Sequence, residues 1–237
     1  MTVLKSADPN DLEARRRAGI AGAALVRDGM VVGLGTGSTA AFAIEELGRR
    51  VRDEKLELVG VPTSWSAAEL ARRAGIEVRG VSEVARIDLA LDGADEVGPG
   101  LVLIKGGGAA HTQEKIVAAD AARFVVLVDD GKVVARLGEK WPVPVEVLAL
   151  ALRPVERALE RLGARPEVRR GAGKDGPVVT DHGNLVVDAR FPGIDDPGAL
   201  ARALDAVPGV VEHGLFVDLV DEVLVGSRVD GSVRRLT

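Results

Sequence analysis

Short apolar runs alternate with amphipathic stretches along the first half of the chain. Runs such as 30–34 (MVVGL) and 124–128 (FVVLV) are rich in valine and lack polar alternation, which is typical of parallel strands covered on both faces. Stretches such as 39–50 (TAAFAIEELGRR) instead carry apolar residues at helical spacing. This alternation predicts an α/β fold with a mainly parallel sheet flanked by helices.

The same pattern places the individual elements. Helices are predicted at 13–27, 39–50, 66–75, 111–120, 154–162 and 197–207. Strands are predicted at 30–34, 56–61, 77–81, 87–91, 101–104, 124–128, 167–170, 178–179 and 184–188, and residues 215–226 are strand-like. In a Rossmann-like sheet of this kind, ligands bind beyond the carboxyl ends of the strands, so the chemistry is expected in the loops that follow strands.

The sequence changes character at 141–145 (WPVPV), where two prolines interrupt the chain. The following residues read as a compact α+β segment, whereas the end of the chain is again strand-like. We therefore predict a larger α/β domain, which would carry the chemistry, formed by residues 1–141 and 213–237. Residues 142–212 would form a smaller α+β, ferredoxin-like domain that could provide an oligomer contact.

Composition argues against several classes of protein. The net charge of −5 at pH 7 disfavours nucleic acid as the main partner, because proteins that bind it usually carry a basic face. The absence of cysteine rules out disulfides, thiolate catalysis and cysteine-ligated metals. No apolar run approaches the ~20 residues of a membrane span, and the polar N-terminus lacks an apolar signal segment. We expect a cytoplasmic protein with neither a membrane nor a nucleic-acid partner.

Residues 33–39 (GLGTGST) lie between a predicted strand and a predicted helix. Glycines let the backbone approach a ligand, and N–H groups at a helix start attract anions. The candidate phosphate-binding residues are Thr36, Gly37, Ser38 and Thr39. The dinucleotide fingerprint requires glycine at position 38, and the ATP-binding loop requires a lysine that is absent here. A small phosphorylated metabolite fits better, although Ser38 could serve only as a helix N-cap.

Two further loops place charged side chains after predicted strands. The first, 92–96 (DGADE), carries three carboxylates, and the second, 105–108 (KGGG), opens a helix whose first turns contain Glu114. The candidate residues are Asp92, Asp95, Lys105, Gly106, Gly107, Gly108 and Glu114. Each carboxylate alone could reflect turn chemistry or a favourable helix dipole, but the combination with the first glycine loop favours a catalytic site.

These residue types suit the conversion of an aldose to a ketose. One carboxylate can remove the proton on C2 and deliver one to C1 through a cis-enediol intermediate. An ammonium or backbone N–H groups can stabilise the carbonyl oxygen as charge develops on it, and the aspartates could hold hydroxyls and open the sugar ring. The histidines, His111, His182 and His213, are far apart and show no ligand spacing, so no metal site is predicted.

Three segments resemble, in order and spacing, the signature blocks of type A ribose-5-phosphate isomerases: 35–40 (GTGSTA), 92–96 (DGADE), and 105–110 (KGGGAA) with 113–115 (QEK). The similarity covers roughly residues 13–235. It implies the reversible conversion of ribose 5-phosphate to ribulose 5-phosphate, a step of the non-oxidative pentose phosphate pathway, without metal or cofactor. It also implies a homodimer or homotetramer.

The resemblance assigns roles to individual residues. Glu114 would be the general base and acid, and Asp92 and Lys105 would bind and polarise the reacting end of the sugar. Further substrate contacts are implied for Ser38, Thr39, Asp95 and Lys132. A basic contact to the phosphate could come from any of the arginines at 15–17, and the sequence does not distinguish among them.

Two other classes of function remain open at this point. An amino-sugar-phosphate deaminase would require a histidine partnered with an acid, for which His111 is the candidate, and a coenzyme A transferase would use a glutamate as nucleophile. A sugar-phosphate sensor that signals to DNA should carry a helix-turn-helix and a basic surface. Neither feature is present in the sequence pattern, which disfavours the sensor.

Overall fold

The computed structural model describes residues 8–171, 173 and 175–237 of the chain. Its α-helices are α1 (Pro9–Ala23), α2 (Ser38–Glu54), α3 (Trp65–Arg73), α4 (His111–Asp120), α5 (Leu152–Arg161) and α6 (Pro197–Asp205). Its strands are β1 (Met30–Leu34), β2 (Leu58–Pro62), β3 (Glu77–Val78), β4 (Leu89–Asp92), β5 (Glu96–Val97), β6 (Leu103–Ile104), β7 (Phe124–Asp129), β8 (Val143–Val147), β9 (Arg165–Val168), β10 (Leu185–Arg190), β11 (Val210–His213), β12 (Leu215–Phe216), β13 (Glu222–Gly226) and β14 (Val233–Leu236). Within these described ranges, no helix combines the length and the apolar character needed to cross a membrane.

The chain divides into two compact units. The first unit comprises the described residues up to Ala94 together with Gln113–Lys132 and Leu219–Thr237, and the second comprises Asp95–Thr112 and Val133–Asp218. The sequence pattern instead places residues 95–112, 133–141 and 213–218 in the larger domain, and that domain division stays a prediction.

A seven-stranded sheet in the order β3–β2–β1–β4–β7–β13–β14 forms the centre of the first unit. All neighbouring strands are parallel except β13 and β14, which pair antiparallel. This arrangement confirms the predicted mainly parallel sheet. Starting from β1, the chain builds the sheet first toward β3 and then in the other direction through β4. The carboxyl ends of β1 and β4 therefore lie at the topological switch point, where α/β sheets bind their ligands.

The core of the first unit explains why its central strands are apolar throughout. Every residue of β4 and β7 is buried, because helices pack on both faces of a sheet of this type. Ile44 and Leu47 of α2 lie in one cluster with Leu34, Leu91 and Leu127 of the sheet. This packing holds the strand ends that carry the candidate residues.

The second unit contains a four-stranded antiparallel sheet in the order β11–β8–β10–β9. Along the chain its elements run β8–α5–β9–β10–α6–β11, which is the ferredoxin-like βαββαβ arrangement and confirms the predicted smaller α+β fold. Val155 and Leu159 of α5, Leu204 of α6 and Val145 and Val187 of the sheet form its core. A second, three-stranded sheet in the order β12–β6–β5 belongs to the same unit.

Some predicted elements differ from those observed. Helix α1 begins at Pro9, earlier than predicted, because the Asp8 carboxylate accepts a hydrogen bond from Asn10 N–H (2.8 Å) and caps the helix. The predicted strand at 178–179 is only an isolated bridge between Val179 and Leu185. The prolines near 141–145 do not interrupt the structure, because Pro144 lies within β8 and its carbonyl accepts a hydrogen bond from Gly214 N–H (2.7 Å).

Candidate active site

The first glycine loop joins β1 to α2 at the switch point of the first unit. Its Gly37 has a φ of 106° and is the N-cap of α2, with no side-chain capping bond. Ser38 is therefore the first helical residue, and the alternative that it serves as the N-cap is wrong. Because Gly37 is exposed and Thr39 is buried, the open side of the loop presents N–H groups at a helix start, the arrangement that attracts anions.

Thr36 connects this loop to the end of the neighbouring strand β2. Its hydroxyl oxygen lies 2.8 Å from Thr63 Oγ1 and 2.8 Å from Ser64 Oγ. Ser64 in turn accepts a hydrogen bond from Ala67 N–H (3.1 Å) as the N-cap of α3. The Thr36 side chain thus holds the loop in place, so its predicted substrate contact stays a prediction.

Asp92 ends β4 and is 2 % exposed. Its Oδ1 accepts hydrogen bonds from Thr36 N–H (3.1 Å) and Gly93 N–H (2.7 Å). Residue 35 must be glycine here, because a Cβ at Gly35 would lie 2.6 Å from Asp92 Cα and closer still to its carboxyl group. The structure therefore brings the first carboxylate of the DGADE segment into direct contact with the first glycine loop (33–39), the predicted phosphate loop.

Arg15 is the arginine of the 15–17 segment that reaches the phosphate loop. Its Nη1 donates to Ser38 Oγ (3.2 Å), and its Nε lies 2.8 Å from the buried Asp129 Oδ2 at the end of β7. Arg16 and Arg17 both pair with Glu13 on the exposed side of α1. Adjacent side chains on a helix do not share a face, so Arg15 alone of these three contacts the loop, and its contact with a phosphate stays a prediction.

Glu114 lies in the first turn of α4 and is 4 % exposed. The residue before it, Gln113, donates from Nε2 to the carbonyl of Pro62 at the end of β2 (2.8 Å). Pro62 is paired with Leu34, the last residue of β1. Within the first unit, the helix that carries Glu114 is therefore anchored at the same strand ends as the phosphate loop. Lys132 is partly buried in the turn Asp130–Lys132, which follows β7.

The second unit carries the KGGG segment after β6. Lys105 is 2 % exposed, its N–H donates to the Gly214 carbonyl (2.8 Å), and its ammonium lies 5.4 Å from the centroid of the Phe216 ring. A cation this close to an aromatic face is electrostatically favourable. The loop thus carries a buried lysine. Its ammonium lies near Phe216, and its backbone N–H is bonded to Gly214, the residue before β12.

The glycines that follow Lys105 allow two close approaches. Gly106 has a φ of 101°, and a Cβ there would lie 2.7 Å from His111 Nδ1. Gly107 N–H donates to Asp95 Oδ2 (2.7 Å), so the second aspartate of the DGADE segment contacts the glycine loop. His111 is fully buried and begins α4, which agrees with its interpretation as a helix-start residue.

Glu96, the third carboxylate of the DGADE segment, has a structural role. It is fully buried, and its two oxygens accept hydrogen bonds from the N–H groups of Gly138 (2.7 Å), Lys140 (2.6 Å) and Trp141 (2.8 Å). These bonds satisfy backbone donors that would otherwise be buried at a cost. Glu96 therefore holds the segment that leads into β8. The sequence alone does not show that Glu96 has a structural role while Asp92 is a candidate site residue.

One group of potential metal ligands occurs among the described residues: Asp205, Glu212 and His213. Leu215 N–H donates to His213 Nδ1 (3.2 Å), so this nitrogen carries no proton, and Nε2 lies 3.1 Å from Asp205 Oδ1. In the neutral ring the proton is then on Nε2. A metal on Nε2 would require the proton on Nδ1, against the Leu215 N–H. This group therefore does not fit a metal ion.

Comparison with known proteins identifies the family. The family model described as ribose 5-phosphate isomerase A (phosphoriboisomerase A) matches residues 59–230. The ribose-5-phosphate isomerase A of Thermosynechococcus vestitus is 57 % identical over 207 residues, which are 87 % of this chain and 88 % of that protein. That of a Nostoc species is 51 % identical over 239 residues and covers 100 % of both chains. The chain belongs to the ribose-5-phosphate isomerase A family.

Solved structures of this family agree with the fold. A D-ribose-5-phosphate isomerase in complex with phospho-erythronic acid superposes with a TM-score of 0.92 at 45 % identity, covering 94 % of this chain and 97 % of that chain. Ribose 5-phosphate isomerase A from Methanocaldococcus jannaschii gives a TM-score of 0.91 at 48 % identity, covering 95 % and 98 %. The predicted resemblance is confirmed, and the chain is an isomerase, which decides against the deaminase and transferase alternatives.

Family membership does not by itself assign the residues, and the structure adds some that sequence reasoning missed. Gln113 belongs to the QEK segment, but its contact with Pro62, which anchors α4, is not predicted from the sequence. Arg169 lies far from the signature segments, yet it donates to the carbonyls of Gly106 and Gly107. No local pattern predicts these contacts, because the partners are distant along the chain.

Proposed function

We propose that the chain interconverts D-ribose 5-phosphate and D-ribulose 5-phosphate by general acid/base proton transfer through a cis-enediolate, as a step of the non-oxidative pentose phosphate pathway. The observation that carries the proposal is the position of Glu114. This buried carboxylate lies in the first turn of a helix that Gln113 anchors at the β2 end, next to the strand that carries the phosphate loop. A proton acceptor close to an anion-binding loop suits a phosphorylated substrate.

The phosphate would bind at the start of α2. The N–H groups and hydroxyls of Ser38 and Thr39 would donate to it, and Arg15, already at Ser38 Oγ, would add a cation. Lys132 would supply a second positive charge from the turn after β7. Charge-assisted hydrogen bonds of this kind are about twice as strong as neutral ones.

The reaction requires the open-chain aldose. Glu114 takes the proton from C2, the C2 electrons form the C1–C2 double bond, and the C1 carbonyl oxygen becomes negatively charged. A proton passes from the C2 hydroxyl to that oxygen, and Glu114 delivers its proton to C1 to give the ketose. Lys105 and the amides of 106–108 would stabilise the negative oxygen. Asp92 and Asp95 would hold hydroxyls and assist ring opening.

A relative's ligand supports this substrate class. Phospho-erythronic acid, present in a solved relative, is a phosphorylated four-carbon sugar acid. Its planar carboxylate carries two oxygens, as the reacting end of a cis-enediolate does. A compound that resembles such an intermediate is expected to bind an enzyme more tightly than the substrate does.

The test is the initial rate of ribulose 5-phosphate formation from ribose 5-phosphate by the purified protein in the presence of a chelator. Rapid conversion that added metal does not increase supports the proposal. No conversion by the folded protein contradicts it. Glu114→Gln should lower kcat by about three orders of magnitude with little change in KM, because only proton transfer is removed.

A matched variant controls for effects on the helix. Asp120→Asn changes an exposed carboxylate at the other end of α4 and should leave kcat within about twofold of the parent value, as surface substitutions usually do. If Glu114→Gln retained more than about a tenth of the activity, the base would be another residue.

Lys105→Ala should weaken both turnover and binding, and unchanged kinetics would remove Lys105 from the site.

We also propose that the chain assembles as a homodimer or homotetramer, as its family resemblance implies. Exposed apolar side chains of the second unit are compatible with a covered surface: Leu148, Leu150 and Val211. Light scattering on the purified protein would measure the mass, and a monomer at micromolar concentration would contradict the proposal.

A further inference from the structure

The glycine loop of the second unit is held by an arginine outside the signature segments. Arg169 directly follows β9, and its side chain is 15 % exposed. Its Nη1 donates to the carbonyls of Gly106 (2.7 Å) and Gly107 (3.1 Å). Its Nε donates to Asp188 Oδ2 (2.8 Å), and its Nη2 donates to Asp188 Oδ1. One guanidinium therefore connects two consecutive loop carbonyls to strand β10.

These contacts determine where the loop amides point. A trans peptide is planar, with its C=O and its N–H on opposite sides. When Arg169 holds the Gly106 carbonyl, the N–H of Gly107 must point away from Arg169, and it is found donating to Asp95 (2.7 Å). The same argument applied to the Gly107 carbonyl directs the N–H of Gly108 away from Arg169.

Arg169 orients the peptide groups of the glycine loop and adds little positive charge to the site. The fork-shaped contact with Asp188 pairs the guanidinium with a carboxylate, so the pair has little net charge to project on a substrate. Without this contact the loop would keep the hydrogen bonds from Ala109 N–H to the Gly106 carbonyl (2.9 Å) and from Gly107 N–H to Asp95. The Gly107 carbonyl would lose its bond to Arg169, and the exposed Gly107 and Gly108 would gain freedom, because glycine loses more conformational entropy on ordering than any other residue.

We infer that Arg169 is a positioning residue for the reaction: by holding the carbonyls of Gly106 and Gly107 it keeps the Gly107 N–H on Asp95 and directs the Gly108 N–H to the oxygen on which negative charge develops. This inference rests on the function proposed above. Arg169 acts through the loop and not on the substrate, so its loss should affect the transition state more than the ground state.

The kinetic test compares Arg169→Gln and Arg169→Lys with the parent protein. Arg169→Gln should lower kcat about 10- to 100-fold with KM changed less than about threefold, because removing an oxyanion donor outright costs about 10²- to 10³-fold. The inhibition constant of phospho-erythronic acid should rise in proportion to the loss in kcat/KM. Arg169→Lys, which keeps the positive charge but not the planar fork of donors, should fall between the parent and Arg169→Gln.

A control variant in the same unit separates positioning from general destabilisation. Arg136 pairs with Asp195 (2.7 Å) on the surface, and Arg136→Gln should leave kcat and inhibition unchanged. If Arg169→Gln lowered only the melting temperature, or raised KM at constant kcat, the inference would be overturned.

A readout without substrate keeps the inference distinct from the proposed function. Amide hydrogen exchange of Gly107, measured by NMR on protein labelled with ¹⁵N-glycine, should be at least about tenfold faster in Arg169→Gln than in Arg136→Gln, since the loop would open more often. Unchanged exchange overturns the inference even if the parent protein is active. If the parent protein does not convert ribose 5-phosphate, the proposed function fails and Arg169 has no role in that reaction. Faster exchange in Arg169→Gln would then support only the claim that Arg169 holds the glycine loop.

Discussion

The contact between Gly35 and Asp92 predicts a large effect for the smallest possible substitution. In Gly35→Ala, the new Cβ would lie 2.6 Å from Asp92 Cα, whereas carbon atoms in contact are about 3.5–4.0 Å apart. The ends of β1 and β4 would have to separate by about 1 Å, although Leu34 and Leu91 are paired neighbours there.

The magnitude follows from two terms. Overpacking a buried site costs about 1–3 kcal/mol, and the backbone atom involved cannot rotate away as a side chain could. Displacement of the Asp92 carboxylate would also weaken its hydrogen bond from Thr36 N–H (3.1 Å), worth about 1.5 kcal/mol for a charged acceptor. We therefore expect a loss of about 3 kcal/mol, which lowers the melting temperature by about 6–12 °C in a protein of this size.

Thermal unfolding, monitored by circular dichroism, measures the stability of Gly35→Ala. The initial rate with ribose 5-phosphate measures the activity of its site. Gly93→Ala is the matched control, because its Cβ would meet only Leu127 O at 3.7 Å and Thr36 O at 4.0 Å, which are ordinary contacts. The reasoning is refuted if Gly35→Ala melts within about 2 °C of Gly93→Ala and keeps a comparable rate, since about 1 kcal/mol corresponds to 2–4 °C.

Three further predictions concern other parts of the two units. Arg15→Gln should raise KM for ribose 5-phosphate about tenfold through loss of a charged hydrogen bond, whereas steady-state kinetics of Arg16→Gln should match the parent protein. Glu146→Gln should lower the free energy of unfolding by about 2 kcal/mol in urea titrations, because the fully buried Glu146 accepts hydrogen bonds at Oε1 from Thr180 (2.7 Å) and Asn184 (2.8 Å) and at Oε2 from Thr112, whereas an amide has only one accepting oxygen; an unchanged midpoint would contradict this. The hydrogen bond from Arg16, with the charges of Arg16 and Arg17, lowers the pKa of Glu13 from 4.5 to about 2 against the opposing effect of burial. Because the folded-state pKa is the lower one, this stabilisation is present above pH 4.5 and disappears as the pH falls to about 2. The stability difference between Glu13→Gln and the parent should therefore vanish over that range in unfolding experiments, and a constant difference would argue against the pairing.

The sequence predicts well those features that depend on neighbouring residues. Strand β1 (Met30–Leu34) and helix α4 (His111–Asp120) have their predicted bounds, because a change of hydrophobic period next to glycines marks both. The start of α1 was predicted too late, although Asp8 and Pro9 form a recognisable capping signal. The first glycine loop (33–39) and the KGGG loop (105–108) are likewise recognisable from local composition.

The sequence does not predict features that depend on distant partners. Asp92 and Glu96 are both carboxylates of the DGADE segment. Glu96 accepts three backbone hydrogen bonds from the segment that leads into β8, whereas Asp92 contacts the phosphate loop. The choice of Arg15 over Arg16 depends on where α1 packs. Pro144 reads as an interruption and lies inside β8, because tertiary pairing overrides its low strand propensity.

The order of strands in the first unit also bears on the solubility of the folded chain. Its sheet ends at one side with the two-residue strand β3 and at the other with β14, whose Arg234 and Arg235 are exposed. Short edges and edge charges prevent sheets from pairing with one another. Next to β14 lies β13 (Glu222–Gly226), in which every residue is buried. Removing residues 233–237 would turn this apolar strand into an open edge, and we expect the shortened protein to aggregate more readily than the parent.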